Sequence, residues 1–397
     1  MSKLTLLLDI GTTTISGNIF DASANKILSS GLVLNSQSRF GDDLISRISF
    51  ALESQQNATL LQKRVAFSIN VLIQQLLASC SRDKQDIASV LCVSNTVMHH
   101  LFLGIDTASL ITPPYRSSQK AEITVYAEML GLKLTKNISV TFLPNIEGFV
   151  GSDALSVILA SNIYRDKHLR LAIDIGTNGE VILGNKDRIL VASTAAGPAF
   201  EARYVKSGMP AIEGAIKSVR ITKRKIECGV IGNKTPKGIA GSGLIDACYE
   251  MFRTGIIDKS GKMAVREFIL YKRGKKKISI TQNDIRKLQL AKAAIFAATK
   301  VLLRRYGADK ENIDQILLTG SFGSSLNAKS IIGVGLIPKI NIKKVKHLKS
   351  GALEGLRLYA TRPSLHKQIL AVLSKIEHLP LLGQSFGDEF VSSLALG

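Results

Sequence analysis

The sequence contains DIGTTT at Asp9–Thr14 and a near copy, DIGTNG, at Asp174–Gly179, and each copy opens about half of the chain. An apolar run precedes each copy and another follows it, which predicts two antiparallel strands joined by a tight turn. Glycine in such a turn lets backbone N–H groups approach an anion, and hydroxyls donate hydrogen bonds to its oxygens. A carboxylate does not bind a phosphate directly, so we expect the aspartate to hold a divalent cation or its waters. One copy is a weak signal, but two copies favour a nucleotide held between two related lobes.

The composition indicates a large globular protein. The chain has 397 residues, of which 45% are hydrophobic, enough for at least two domains. No apolar run approaches the ~20 residues that a membrane-spanning helix needs. The first residues lead directly into the first predicted strand and lack the pattern of a signal peptide. We therefore expect a cytoplasmic protein without a membrane partner.

The cysteines give no sign of a metal centre. Cys80, Cys92, Cys228 and Cys248 are scattered, and the sequence contains no Cys-x-x-Cys pair. Local spacing therefore builds neither an iron–sulfur cluster nor a zinc site. We expect reduced, buried thiols.

The net charge of +21 is concentrated in the segments Lys217–Lys225, Lys272–Lys277 and Lys343–Lys349. One interpretation is binding to an acidic partner or to nucleic acid. The other is a solvated basic surface, and we favour it. Nucleic acid is not expected, because the chain has no tryptophan and no aromatic residues interleave with the basic segments.

Strands alternate with helices along the whole chain, which predicts an α/β fold. The polar stretch Asn162–His168 separates an N-terminal lobe, residues 1–165, from a C-terminal lobe, residues 166–397. The second lobe is expected to end in a helical tail anchored by Phe386 and Phe390.

Five elements stand in a definite order: the Asp9 turn, a helix of small residues from Gly151, the Asp174 turn, a strand-to-glycine turn at Gly320 and a second small-residue helix from Gly351. This order resembles the ATPase superfamily that includes sugar kinases, heat-shock chaperones and actin. The resemblance implies two related actin/ribonuclease H-like lobes with a nucleotide cleft between them. It also implies that the two small-residue helices cross closely and act as a hinge.

Longer motifs narrow the resemblance to the ATPase portion of the reductive activators of corrinoid proteins. They are NSQSRFGDDLISRI (35–48), LPNIEGFVGSDA (143–154), LAIDIGTNGEVILG (171–184), STAAGPAFEA (193–202), GIAGSGLIDA (238–247), TQNDIRKLQLAKAAI (281–295) and IGVGLIP (332–338). The resemblance implies ATP and Mg²⁺ as cofactors, and a corrinoid protein or corrinoid methyltransferase as the partner, whose Co(II) is returned to Co(I). Members usually carry an iron–sulfur domain, often at the N-terminus, whereas the first strand here begins near Met1 and cluster cysteines are missing. We therefore expect no iron–sulfur cluster in this chain and a separate protein as electron donor.

The resemblance also assigns the nucleotide site. Asp9 and Asp174 are expected to hold Mg²⁺ and its water shell, and both count as catalytic. The phosphates are expected to contact Gly11, Thr12, Thr13, Gly176, Thr177 and Asn178. The adenosine is expected to lie against the turn formed by Gly320, Ser321, Phe322 and Gly323.

Asp153 has two interpretations. An aspartate at this place in the related sugar kinases is the base for the phosphoryl acceptor, so Asp153 is a candidate to orient a hydrolytic water. An aspartate near a helix N-terminus also stabilises any helix. The two interpretations are equally weighted.

Weaker candidates surround this set. Gly241 and Ser242 precede a helix and offer N–H groups to an anion, although an ordinary helix start explains them equally well. Glu147 and Glu201 lie in glycine-rich loops. The pair His99–His100 is interpreted as core or surface, because adjacent helical positions do not face the same way.

Three functions remain open. The first is ATP-dependent activation of a corrinoid protein. The second is a small-molecule kinase with Asp153 as base. The third is a non-enzymatic, nucleotide-gated interaction protein. A homodimer also stays open.

Overall fold

The computed structural model describes residues 3–223, 225–323 and 325–397, with all of their side chains except those of Pro198 and Ser321. The chain forms two compact units. Unit 1 comprises Met1–Arg165 and Ser350–His378, and unit 2 comprises Asp166–Lys349 and Leu379–Gly397. The predicted boundary coincides with the first change of unit. The assignment of all of 166–397 to one lobe differs from the structure, because Ser350–His378 packs with unit 1.

Strands and helices alternate as predicted, and the fold is α/β. The strands are β1 Leu4–Ile10, β2 Thr14–Asp21, β3 Lys26–Leu34, β4 Ile87–Ser94, β5 Ile123–Tyr126, β6 Ser139–Phe142, β7 Arg170–Ile175, β8 Gly179–Gly184, β9 Ile189–Thr194, β10 Ala215–Ile221, β11 Ile226–Val230, β12 Gly238–Ile239, β13 Glu267–Arg273, β14 Lys276–Thr281, β15 Gln315–Thr319, β16 Val345–His347 and β17 Ile376–His378. The helices are α1 Leu44–Glu53, α2 Gln55–Ser79, α3 Thr96–Leu103, α4 Ala108–Ile111, α5 Ser152–Ser161, α6 Gly241–Arg253, α7 Gln282–Tyr306, α8 Gly320–Gly323, α9 Ala328–Val334, α10 Gly351–Thr361, α11 Pro363–Leu373 and α12 Gln384–Ser392. None of the helices in the described ranges combines the length and the apolar character needed to span a membrane.

Unit 1 is built on a mixed sheet with the strand order β3-β2-β1-β4-β6-β5. The strands β1, β2 and β3 form an antiparallel meander, and β4 lies parallel to β1. The long helix α2 packs on β2 and β3. It buries Leu61, Val65, Ile69, Leu72 and Leu76. This helical spacing places the side chains on one face of α2, so the amphipathic pattern fixes how the helix covers the sheet.

Unit 2 repeats the plan. Its sheet contains the order β16-β15-β7-β8-β9. The strands β7, β8 and β9 form the meander, and β15 lies parallel to β7 as β4 does to β1. Helix α7 packs on β8 and β9, and Thr281 caps it by accepting a hydrogen bond from the backbone N–H of Asp284. The repeated hexapeptide therefore marks a repeated supersecondary structure.

The two small-residue helices α5 and α10 cross closely inside unit 1, as predicted. A Cβ atom built on Gly355 would lie 2.0 Å from the Ser156 carbonyl oxygen. The Ser156 hydroxyl donates a hydrogen bond of 2.6 Å to the carbonyl of Ala352. This contact explains why the segment that begins at Ser350 packs with unit 1. The hinge role of the two helices stays a prediction.

The C-terminal segment differs in detail from the predicted helical tail. It contains the strand β17 as well as helices, and Phe386 and Phe390 are only partly buried. Leu396 is fully buried, and its backbone N–H donates to Lys259 O at 2.8 Å. The Gln289 side chain donates to the carbonyl of Leu394 at 2.9 Å. Leu396 therefore anchors the segment more deeply than the two phenylalanines do.

Candidate functional site

The first hexapeptide forms the predicted hairpin turn between β1 and β2. Asp9 is half-buried, lies opposite Ser16 in the register, and accepts a hydrogen bond from the Ser16 hydroxyl at 3.4 Å. The N–H of Gly11 donates to Thr14 O at 3.0 Å and closes the turn. A Cβ atom at Gly11 would lie 2.6 Å from that oxygen, so a side chain does not fit at this position.

Two asparagines that sequence analysis did not select hold this turn in place. The Asn35 amide donates to Gly11 O at 3.0 Å, and the Asn95 amide donates to the Thr12 hydroxyl at 3.2 Å. The Asn95 side-chain oxygen also caps α3 by accepting from Met98 N at 2.9 Å. Because Thr12 is the acceptor in its bond with Asn95, its own hydroxyl proton remains available for a phosphate oxygen.

The second hexapeptide forms the equivalent turn between β7 and β8. Asp174 is half-buried and lies opposite Glu180. The N–H of Gly176 donates to Asn178 O at 3.0 Å. The Thr177 hydroxyl donates to Glu201 Oε1 at 2.5 Å, and both residues are buried. The two threonines therefore differ, because the Thr177 proton is bonded to a carboxylate within unit 2.

Gly320 brings its turn directly against Asp174. It has a φ of +90°, which glycine adopts more readily than other residues. A Cβ atom on it would lie 2.2 Å from Asp174 Oδ1. The chain continues into the single-turn helix α8, where Phe322 is partly buried against the core of unit 2. Ser321 was also predicted to lie against the adenosine, but its side chain is outside the part of the chain that the structure describes.

The loop 193–202 and the start of α6 flank the second turn. A Cβ atom on Gly241 would lie 1.7 Å from Phe200 O, so this glycine lets α6 approach the segment that carries Glu201. The Ser242 hydroxyl donates to Lys217 O at 2.9 Å. Packing therefore explains Gly241 and a local hydrogen bond explains the Ser242 side chain, while their role toward an anion stays a prediction.

Asp153 lies in the first turn of α5, in the same unit as the first hexapeptide. Its carboxylate accepts a hydrogen bond of 2.7 Å from Ala154 N. Burial raises the pKa of this carboxyl from its ordinary 3.8 to about 6. The neighbouring Ser152 hydroxyl accepts from Ser94 N at 3.1 Å, which ties the start of α5 to the end of β4 beside Asn95. The helix-stabilising role is thus present, and the raised pKa also suits a base near neutral pH.

The remaining candidates have structural roles. Glu147 pairs with Lys120 and accepts from Ser117 N at 3.3 Å. His99 and His100 are fully buried, which confirms the core interpretation. Burial lowers the pKa of both imidazoles, that of His99 to about 3.

The described residues contain no group of three His, Cys, Asp or Glu side chains that could hold a metal ion. Mg²⁺ does not require such a group, because it keeps several waters and binds through one or two carboxylates and the phosphates of a nucleotide. Asp9 and Asp174, each at a strand end beside a turn of N–H and hydroxyl groups, have the oxygen chemistry that Mg²⁺ prefers.

Comparison with known proteins agrees with this architecture. Residues 4–166 match the family model of the RACo middle region, and residues 168–397 match that of the C-terminal domain of RACo, the ASKHA domain. The chain is 35% identical over 375 residues to the corrinoid activation enzyme RamQ of Eubacterium limosum, a match that covers 88% of this chain and 63% of RamQ. It is 24% identical to the [Co(II) methylated amine-specific corrinoid protein] reductase of Methanosarcina barkeri, over 98% of this chain and 76% of that protein.

A solved structure gives the same result. A reductive activator for a corrinoid, iron–sulfur protein superimposes with a TM-score of 0.93 and 36% identity, over 100% of this chain and 67% of the other. The chain thus spans 63% of RamQ and about two thirds of that activator. The two family models together account for nearly every residue from 4 to 397, and the chain therefore belongs to the RACo family, as a middle region followed by an ASKHA domain.

Proposed function

We propose that this chain is an ATP-dependent activator that supports the return of an inactive Co(II) corrinoid to Co(I) on a corrinoid protein or corrinoid methyltransferase. The observation that carries the proposal is the match of both RACo regions along the chain, together with relatives named for corrinoid activation and corrinoid protein reduction. The electron comes from a separate protein. Support for this is that the four cysteines are dispersed, with Cys92 and Cys248 fully buried.

The two turns supply the nucleotide-binding groups. Gly11, Thr12 and Thr13 in unit 1 and Gly176, Thr177 and Asn178 in unit 2 bind phosphate oxygens through backbone N–H groups and hydroxyls. Asp9 and Asp174 would hold Mg²⁺ through its water ligands, and the ion would neutralise charge on the phosphates. The hydrogen bond from Asn95 orients the Thr12 hydroxyl, which supports a donating role for Thr12.

Asp153 is the proposed base for hydrolysis. With a pKa of about 6, its carboxyl is mostly ionised at neutral pH and accepts a proton more readily than an ordinary aspartate. It would orient the attacking water by accepting one of its protons. The same carboxyl suits a small-molecule kinase, in which a substrate hydroxyl replaces the water, and this is the second candidate function.

Nucleotide binding activates the partner only if it changes the balance between two conformations. A ligand shifts such a balance by no more than the difference between its affinities for the two states. We propose that the ATP-bound chain binds the corrinoid protein in a form that is easier to reduce. The cleft between two lobes that sequence analysis predicts stays a prediction.

The test is the ATP-dependent appearance of Co(I) absorbance when this chain, a chemical reductant and purified corrinoid proteins of its source organism are mixed. The variants Asp9→Asn and Asp174→Asn should abolish it. Asp187→Asn is the matched control, because Asp187 is an exposed acid in the turn between β8 and β9. The proposal fails if the chain makes no difference with any corrinoid protein. If a metabolite stimulates ADP release and Asp153→Asn removes that effect, the kinase is favoured.

A further inference from the structure

The tip of the β13–β14 hairpin in unit 2 carries an unusual concentration of positive charge. In the register, Lys272 lies opposite Lys277 and Arg273 lies opposite Lys276. Lys275 lies in the turn between them, and all five side chains are exposed. Residues directly opposite on antiparallel strands share a face of the ribbon, and like charges in such pairs destabilise it. Local folding therefore does not explain this arrangement.

The charges are only slightly neutralised inside the protein. Lys277 pairs with Glu267. Among the residues that the structure describes, no ion pair involves Lys272, Arg273, Lys275 or Lys276. A Cβ atom on Gly274, at the centre of the turn, would meet no other atom within 4 Å. The tip thus projects its charge into open space.

The base of the hairpin, in contrast, is held firmly. Ile278 and Ile280 are buried in the core of unit 2. The N–H of Ser279 donates to the Ser207 hydroxyl at 3.1 Å, and Glu267 pairs with Lys206 at 2.8 Å. A rigid base fixes the position of the charged tip, which lowers the entropic cost of binding a partner.

We propose that this tip is a docking surface for an acidic face of a protein, and that this protein is the corrinoid partner. The partner's identity rests on the proposed function, whereas the surface rests on the register and exposure of the five cations. Opposite charge across an interface speeds association and fixes orientation. The aromatic residues of the hairpin, Phe268 and Tyr271, pack against the core, so they are not available to stack on bases.

The experiment that tests the docking surface measures binding of the full chain to poly-L-glutamate at low ionic strength. The tip variant carries Lys272→Glu, Lys275→Glu and Lys276→Glu. We expect it to bind at least about eightfold more weakly, because three exposed ion pairs are lost and each contributes a factor of about two. Because the variant also replaces like-charge pairs by opposite-charge pairs, we expect its thermal unfolding midpoint to be no lower than that of the wild type.

The matched control makes the same charge change in another basic segment of unit 2. It replaces by glutamate the exposed residues Lys343, Lys346 and Lys349. The control should bind poly-L-glutamate within about twofold of the wild type, since its charges are not part of the tip.

The proposal is overturned if the two variants lose affinity equally, because binding would then reflect net charge alone. It is also overturned if the tip variant unfolds at a lower temperature, or if a DNA duplex binds the tip more tightly than poly-L-glutamate at equal charge. Binding to poly-L-glutamate needs neither ATP nor a corrinoid. Failure of the docking surface is therefore distinct from failure of ATP-dependent Co(I) formation.

Discussion

Removing Glu201 is expected to change how the second turn binds phosphate. The Thr177 hydroxyl has one proton, and it donates that proton to Glu201 Oε1. On the proposed function, a phosphate oxygen in the same turn would compete with Glu201 for it. The hydrogen bond that must be given up would then offset part of the affinity for the nucleotide.

The geometry sets the size of the effect. The O···O distance is 2.5 Å, in the range of hydrogen bonds to an ionised acceptor. Such bonds contribute about 1.5–3 kcal/mol. If Thr177 gives up this hydrogen bond completely when the nucleotide binds, the coupling free energy between Thr177 and Glu201 should fall by that amount. This loss corresponds to a factor of about 10 to 150 in nucleotide affinity.

A double-mutant cycle isolates this coupling. Nucleotide affinity is measured by calorimetry with a non-hydrolysable ATP analogue and Mg²⁺ for the wild type, Glu201→Ala, Thr177→Val and the double variant. Glu201→Ala also removes the negative charge of a carboxylate bonded to Thr177, and on the proposed function this loss of charge would by itself tighten phosphate binding. The Thr177→Val background measures this charge effect, because valine has no hydroxyl to share.

We expect Glu201→Ala to tighten binding more when Thr177 is present than when it is absent. The result that refutes the reasoning is a coupling near zero in nucleotide affinity. Thr177 would then keep its bond to Glu201 in the complex, and the turn would bind phosphate through its backbone N–H groups alone.

Three other outcomes are expected. Asp153→Asn should abolish ATP hydrolysis but leave ATP-analogue binding within about threefold of the wild type. Wild-type hydrolysis should rise with pH through the Asp153 pKa of about 6, because the base acts when it is ionised. If the variant still hydrolyses ATP, Asp153 only caps its helix. Gly355→Ala should lower the stability of unit 1 by about 1–3 kcal/mol, because the new Cβ atom would lie 2.0 Å from Ser156 O. Its control is Gly387→Ala, also in a helix but with nothing within 4 Å of the Cβ position, which should raise the stability of its helix by about 0.5–1 kcal/mol. Thermal unfolding distinguishes the two variants, and equal effects would contradict the close crossing of α5 and α10. His99 is buried and its pKa is lowered from 6.5 to about 3, so below pH 6.5 the unfolded chain binds a proton that the folded chain does not. The free energy of unfolding should therefore fall as the pH drops below about 6.5, by up to about 1.4 kcal/mol per pH unit for this residue. Denaturant unfolding should show that His99→Phe is less sensitive to acid, and an unchanged pH dependence would contradict a buried, neutral His99.

Much of the fold follows from local sequence patterns. The meanders after Asp9 and Asp174 were predictable because alternating apolar residues, tight turns and repeated motifs act over a few residues. The long helices α2 and α7 were predictable from apolar residues at helical spacing. The β13–β14 hairpin was not predicted, because Lys272–Lys277 puts like charges opposite each other and resembles a solvated loop.

The site was predictable in outline but not in its internal partners. Motif order indicated both turns and the Gly320 turn, and the structure brings Gly320 against Asp174. Asn35 and Asn95, which support the first turn, were not predicted as site residues. Asn35 opens the motif 35–48, but nothing in the sequence marks it as a partner of Gly11, and Asn95 lies outside the quoted motifs. Asn95 at the end of a buried strand and directly before a helix could have been selected as a cap, although its bond to Thr12 could not.

The sequence by itself determined the duplicated α/β plan, the two turns that contain Gly and Thr and the family, because these depend on residues that are neighbours along the chain. Only the tertiary structure decided which hydroxyl protons are available. Thr12 accepts from Asn95, 83 residues away, while Thr177 donates to Glu201, 24 residues away. The two hexapeptides share four of their six residues, yet the equivalent threonines Thr12 and Thr177 have different partners. Hydrogen bonding depends on which groups meet in space, and chain folding, not local spacing, brings those groups together.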